Sequence, residues 1–226
     1  MAAALADAGA HVTLIARTAD QIERVCAEIA AAGGSAATAT LDVTQAADVD
    51  TFFAAHAPFN VLINNAGTNR PAPLVDTPDA DIAAVFTLHV LAAFRIAREV
   101  ARGLIAQKLP GSIINVSSQM GHVGSINRTV YCASKHALEG MTKALAWELG
   151  PHNIRVNSLC PTFIETPLTA PMLAKPNFRN WVVDNIALNR VGSADEVCGP
   201  VVFLASDASS LMTGSALMID GGWTAR

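Results

Sequence analysis

The run Ser112-Ile-Ile-Asn-Val-Ser-Ser118, the stretch Thr129 to Leu149 and the run Ile154-Arg-Val-Asn-Ser-Leu159 read in order as strand, helix and strand. The first and third are short and apolar. The second has helical periodicity and stops at Gly150-Pro151. The same alternation extends outward in both directions. Upstream lie a strand at His11–Ala16, a helix over Ala19–Ala32 stopped by Gly33-Gly34, and a strand of small residues at Ser35–Leu41. A helix over Thr44–Ala55, with Thr44 as its N-cap, and a strand at Phe59–Ile63 follow. A long helix then covers Thr77–Ile105, with Thr77 as N-cap and Pro78 at its first position. Downstream come a helix over Ala194–Ala205 and a last strand at Ala216–Ile219. Repeated strand–helix units with buried strands and right-handed crossovers predict an α/β fold, a doubly wound parallel sheet with helices on both faces. The length of 226 residues suits one domain covering 1–226.

Composition removes several function classes. Mean hydropathy is +0.35 and 51% of residues are apolar, which invites a membrane reading. The cause is 42 alanines, which raise the mean without making a lipid-facing surface. The longest weakly polar stretch, Ile82–Phe94, carries Thr87 and His89 and falls short of the ~20 residues a bilayer needs. The net charge is −4 and the basic residues are not clustered, so nucleic acid and anionic membrane surfaces are not expected partners. The cysteines (26, 132, 160 and 198) form no CxxC pair, and the six histidines show no zinc-type spacing. No metal is therefore expected, and a cytoplasmic, reduced protein is.

In doubly wound folds ligands bind beyond the C-terminal ends of the strands. Those ends carry Arg17, Asp42, Asn64-Asn65, Ser117-Ser118 and Pro161. The segment 162–192 breaks the strand–helix rhythm and holds Pro167, Pro171, Pro176, Phe163, Phe178 and Trp181. Its length, place and large apolar groups suit a substrate lid, with a subunit-packing arm as the other reading.

Tyr131-Cys-Ala-Ser-Lys135 carries the chemistry. Positions i and i+4 share one helix face, so Tyr131 and Lys135 sit one turn apart. Tyrosine is the chain's only one, and its free pKa of about 10 is too high for proton exchange near neutrality. A nearby ammonium is expected to lower it and make the phenol a general acid/base.

Taken with Ser118, the Asn64-Asn-Ala-Gly67 element, Asp42-Val43, Pro161-Thr-Phe-Ile-Glu-Thr166 and Asp220-Gly-Gly222, this chain resembles the short-chain dehydrogenase/reductase family over essentially its whole length. The resemblance implies a Rossmann-like fold and an NAD(P)-dependent oxidoreductase that moves a hydride between NADP(H) and a secondary alcohol or ketone. It implies Tyr131 as acid/base, Lys135 holding the nicotinamide ribose, and Ser118 bonding the reacting oxygen. Asn65, Ala66, Gly67, Asp42 and Val43 would line the adenosine side, with Ile164 and Thr166 toward the nicotinamide amide and diphosphate. Arg17 stands where relatives preferring NAD carry an acidic residue, and its fork suits the 2′-phosphate of NADP, with NAD also possible. The family also implies a homotetramer or homodimer built on the two long helices.

Three departures qualify the resemblance. The family opens with a strand and a glycine-rich turn, TGxxxGIG, whereas this sequence opens at Met1-Ala-Ala-Ala-Leu-Ala, like the helix after that turn. A missing first strand is therefore expected, with either a fragment or a binding-poor, non-catalytic scaffold as its meaning. His89 stands where the family usually has a relay Asn, and reads either as a water-holding proton relay or as a packed histidine. Thr162 replaces a common Gly. Substrate contacts are expected from Asn69, Arg70, Gln119, Met120, His122, Asn127 and Arg128, with Arg128 either meeting a substrate carboxylate or solvated in its loop. The lid is similar to that of gluconate 5-dehydrogenase-like members and of 3-oxoacyl-acyl-carrier-protein reductases. The expected substrate is thus a small polar sugar acid or polyol, with a 3-oxoacyl thioester as the alternative.

Overall fold

In the computed structural model, which describes residues 1–225, alternate residues of the strands bury opposite faces of a parallel sheet. Ile113 lies with Leu104, Ile154 and Val156 on one face, while its neighbour Ile114 lies with Leu159, Val201 and Leu204 on the other. Each such large side chain contributes roughly 1.5–3 kcal/mol on burial. The chain runs α1 (Ala2–Asp7), β1 (His11–Ala16), α2 (Ala19–Ala31), β2 (Ser35–Thr40), α3 (Ala46–Ala54), β3 (Val61–Asn64) and α4 (Asp79–Phe86). It continues through α5 (Ala92–Gln107), β4 (Gly111–Val116), α6 (Thr129–Leu149), β5 (Ile154–Pro161), α7 (Ala170–Leu173), α8 (Pro176–Asp184), α9 (Cys198–Ala205) and β6 (Ala216–Ile219). Helices α5 and α6 cover one face, and α1 and α9 the other. The doubly wound, Rossmann-like architecture is as expected.

The sheet has two parts: β1 pairs with β2, and β3-β4-β5-β6 form the rest, all parallel. Among the described residues no strand joins β1 to β3. Register sets Asn64 beside Asn115 and Asn115 beside Ser158, so a row of polar residues crosses the sheet near its C-terminal end.

Two expected caps are corrected. Thr44 donates its hydroxyl and its N–H to Asp42 Oδ1, at 2.8 and 2.9 Å, closing a turn after β2, so α3 begins only at Ala46. The Thr77 hydroxyl donates back to the Pro73 carbonyl at 2.9 Å, and the helix starts at Asp79. The helix expected over Thr77–Ile105 is interrupted by a π-helical turn, Thr87–Leu91, around His89. Such turns insert a residue and re-aim the side chains beside it. Asp79–Gln107 still runs as one helical stretch of 29 residues, with a mean hydropathy of 1.6 in its most apolar window. By length and composition it could cross a membrane, unlike the shorter Ile82–Phe94. In this fold Ala93, Ile96, Ala97, Val100 and Leu104 on it are buried, several of them in the core with Ile113 and Ile154.

Candidate active site

Strand β4 ends at Val116 and delivers Ser117 and Ser118 to the base of α6, where Tyr131 and Lys135 stand one turn apart. Ser118 is buried; its hydroxyl donates to Gln119 Oε1 at 2.7 Å and accepts from the Met120 N–H at 3.1 Å. It also faces the Tyr131 phenol closely enough to lower its pKa. The Lys135 ammonium lies 5.5 Å from the Tyr131 ring centroid and donates to the Val116 carbonyl at 2.8 Å. Ser118, Tyr131 and Lys135 are thus brought together.

The electrostatics differ from expectation. Burial raises the Tyr131 pKa above its ordinary value, opposed by the Ser118 hydroxyl; the neighbouring Cys132 raises it further and Arg128 lowers it. Burial also brings Lys135 down to about 8. The expected lowering of the phenol by the ammonium is not what dominates here, because desolvation outweighs it. Tyr131 is therefore a neutral phenol, ready to donate a proton.

His89 is buried beneath this cluster with both ring nitrogens engaged. Thr68 N–H donates to Nε2 at 2.8 Å, which leaves Nδ1–H to face Ser134 Oγ at 2.9 Å. The Ser134 hydroxyl in turn donates to the Tyr131 carbonyl at 2.8 Å. The His89 ring meets Tyr131 edge to face at 5.6 Å between centroids. Burial, with Lys135 nearby, pushes the His89 pKa down to about 3, so the ring is neutral. Of the two readings of His89, a water-holding relay has no free nitrogen to use, and the packed histidine fits. Gly67 makes room for it, since a Cβ there would sit 3.3 Å from His89 Nε2. The absence of a side chain at 67 thus leaves room for the imidazole.

The expected cofactor residues line one edge of the sheet. Asn65, Ala66 and Gly67 are exposed beyond β3. Arg17 is largely exposed and approaches Asp42 at 4.0 Å. Hydrogen bonds from Thr44 hold the Asp42 carboxyl below its usual range. Val43 packs against the core formed by Val49 and Leu104. Ile164 pairs with Gly192 in an isolated bridge, and Thr166 bonds Thr169 through its N–H and hydroxyl. A cleft lined by Thr162, Ile164, Ile186, Arg190 and Ile219 opens between the ends of β5 and β6 and segment 162–192. Among the described residues, buried Thr162 Oγ1, Gln119 Nε2 and Asn69 Oδ1 have no hydrogen-bond partner.

Segment 162–192 packs over the site. Phe163, Leu173, Val182, Ile186 and Val191 form one cluster with Met120 and Trp223, and Tyr131 and Phe178 pack against it. Arg128 departs from the solvated-loop reading. It is buried and contacts Met172 of α7 through Nη2 at 3.6 Å, and burial lowers its pKa. Among the described residues it makes no ion pair with an acid. His122, expected as a substrate contact, instead has its Nε2 facing Glu139 Oε2 at 3.4 Å. Glu139 and Cys160 there, and Ser134 beneath His89, escaped the sequence reading because fold topology, not spacing, brings them in.

Residues 1–224 match the family described as Enoyl-(Acyl carrier protein) reductase. The chain belongs to the short-chain dehydrogenase/reductase family, whose members are NAD(P)-dependent oxidoreductases. It is 36% identical over 224 residues to D-erythrulose reductase of Gallus gallus, covering 99% of this chain and 89% of the relative. It is 35% identical over 225 residues to L-xylulose reductase of Bos taurus, covering 98% and 89%. A crystal structure of gluconate 5-dehydrogenase from Burkholderia cenocepacia J2315, in complex with NADP and tartrate, superposes with a TM-score of 0.93 at 31% identity, covering 100% of this chain and 89% of that one.

Proposed function

We propose that this protein interconverts a secondary alcohol and a ketone on a small sugar-like substrate, using NADP(H). The observation that carries the reading is the convergence of Ser118 and Tyr131, whose pKa the Ser118 hydroxyl lowers, with the Lys135 ammonium 5.5 Å from the phenol ring. When bound, the nicotinamide supplies or accepts the hydride. Tyr131, held neutral by its surroundings, donates the proton to the carbonyl oxygen in reduction and takes it back in oxidation. Ser118 orients that oxygen by exchanging its bond to Gln119 for one to substrate. Lys135, anchored on the Val116 carbonyl, places its charge beside the phenol and the ribose. Arg17 would meet the 2′-phosphate, Asp42, Val43 and Asn65–Gly67 the adenosine side, and Ile164 and Thr166 the nicotinamide side. His89 acts through others, tying the Asn65–Thr68 loop to the backbone of the Tyr131 helix.

Segment 162–192 serves as the lid, since its apolar cluster reaches Tyr131. Buried Arg128 beneath it, lacking an acidic partner, favours a substrate that brings a carboxylate, hence a sugar acid over a neutral ketose or a thioester. The names of the relatives, which are reductases of sugars and a gluconate dehydrogenase, support the class. Exposed Leu91, Phe94 and Trp147 on the long helices suit a homodimer or homotetramer in the cytoplasm. The reading is tested by following nicotinamide absorbance with NADP(H) or NAD(H) against sugar acids, pentuloses and 3-oxoacyl esters. A second reading, a non-catalytic scaffold, is favoured by the two-part sheet, and turnover with any of these substrates would remove it.

A further inference from the structure

Near Lys135, three side chains from three elements converge. His122 follows the short turn after β4, Glu139 lies on α6 and Cys160 on β5. The Cys160 side chain is fully buried and Glu139 nearly so, while His122 stands at the rim with its ring partly open to solvent. Nε2 of His122 is 3.4 Å from Glu139 Oε2 and 3.6 Å from Cys160 Sγ. Cys160 Sγ is 3.4 Å from Glu139 Oε1.

The nitrogen–oxygen separation is longer than a good hydrogen bond, for which about 2.7–3.2 Å is usual. The His122 Nε2–Cys160 Sγ separation of 3.6 Å matches another geometry, and each of the two faces one of the two Glu139 carboxylate oxygens. Tetrahedral zinc, with bonds of about 2.3 Å to sulfur and 2.0–2.2 Å to nitrogen and oxygen, sets ligand atoms roughly 3.3–3.6 Å apart. We propose that His122, Glu139 and Cys160 form a binding site for one zinc-type divalent transition-metal ion.

The Lys135 ammonium, one turn from Glu139 on α6, interacts electrostatically with both Glu139 and Cys160, so an ion bound there would share the pocket with it. Two further features fit. The Ser158 hydroxyl donates to Glu139 Oε2 at 2.8 Å and fixes the carboxylate, as outer-shell partners of metal ligands do. The Ser117 hydroxyl is buried beside them, close enough to Cys160 to lower the pKa of its thiol. A Cβ on Gly121 would sit 2.8 Å from that hydroxyl and 3.2 Å from Glu139 Cγ, so only glycine lets the turn press this close. Water or Ser117 would complete the fourth position, and the exposed edge of His122 gives the ion its entry. On binding, the Cys160 thiol gives its proton to solvent and the metal takes the thiolate. The sequence spacing showed no metal motif because the ligands are far apart along the chain; the fold assembles them. The proposal does not depend on the hydride-transfer reading.

The test is a titration of the purified, chelator-treated protein with Co²⁺, followed by competition with Zn²⁺. One equivalent should bind, with a thiolate-to-cobalt charge-transfer band and visible bands of tetrahedral intensity, and Zn²⁺ should displace it and raise Tm. Cys160→Ser should remove the charge-transfer band. His122→Gln, at the rim where folding is least disturbed, should weaken binding by at least about tenfold, and Ser158→Ala by about tenfold. Cys132→Ser should change none of these readouts. Absence of saturable binding in the unmodified protein, a spectrum without the thiolate band, or unchanged binding in His122→Gln would overturn the proposal.

Discussion

His89 Nδ1 lies 2.9 Å from Ser134 Oγ, and the Ser134 hydroxyl is bonded to the Tyr131 carbonyl. With Nε2 accepting from Thr68, one neutral imidazole joins the loop after β3 to the helix that carries the acid/base. A side chain that reads as a relay candidate in the sequence is thereby a brace. His89→Ala would strand the part-buried Thr68 N–H and should cost about 1–3 kcal/mol of stability. Urea unfolding of both proteins measures it, and an unchanged midpoint would contradict the brace.

The same burial predicts a pH dependence. The His89 pKa is depressed from 6.5 to about 3 in the folded protein, so below 6.5 the unfolded chain takes up a proton that the folded chain refuses. The stability present above 6.5 is lost as pH falls toward 3, by up to about 1.4 kcal/mol per pH unit from this group. Thermal melts between about pH 7 and pH 4 should show that slope, and His89→Asn should lack its share. Equal slopes in the two proteins would refute the assignment.

Because Tyr131 is the only tyrosine, ultraviolet difference titration reports its ionisation without interference. Its burial predicts a midpoint above the ordinary tyrosine value of 10.0 in the protein without cofactor. A midpoint below that value would show that the Lys135 charge, not desolvation, governs the phenol.

Arg17 is largely exposed and only loosely paired with Asp42, so its guanidinium is free to take a phosphate. Arg17→Gln should reduce the NADPH-over-NADH ratio of kcat/KM about 10–100-fold, the loss that follows from a charged hydrogen bond of about 1.5–3 kcal/mol. A clear preference for NADH in the unmodified enzyme would rule out this role. Buried Arg128 makes the companion case for substrate: Arg128→Met should lower kcat/KM about 10–100-fold for a sugar acid and leave a neutral pentulose little changed. Equal losses on both would mean that Arg128 supports the lid alone through Met172.

Much of this was legible in the sequence. Period and turn signals placed the six strands of the described residues, because buried parallel strands read as short apolar runs, and the spacing of Tyr131 and Lys135 put both on one helix face. What escaped were choices made by local polar competition and by topology. Thr44 and Thr77 have the composition of caps, yet their hydroxyls are taken by Asp42 and by the Pro73 carbonyl. The π turn at His89 depends on what the long helix packs against, which no periodicity shows. The phenol's raised pKa needed the burial of Tyr131 beside Met120 and Phe163, and the His122–Glu139–Cys160 cluster needed β4, α6 and β5 side by side.

The most direct measurement is the initial rate of NADPH oxidation with a keto-sugar acid, compared between the unmodified enzyme and Tyr131→Phe, with NADPH affinity measured in parallel. Loss of the phenol proton predicts a fall in kcat of at least about 10²-fold, the lower range for general acid catalysis, with cofactor affinity nearly unchanged. Retained turnover in Tyr131→Phe would contradict the account.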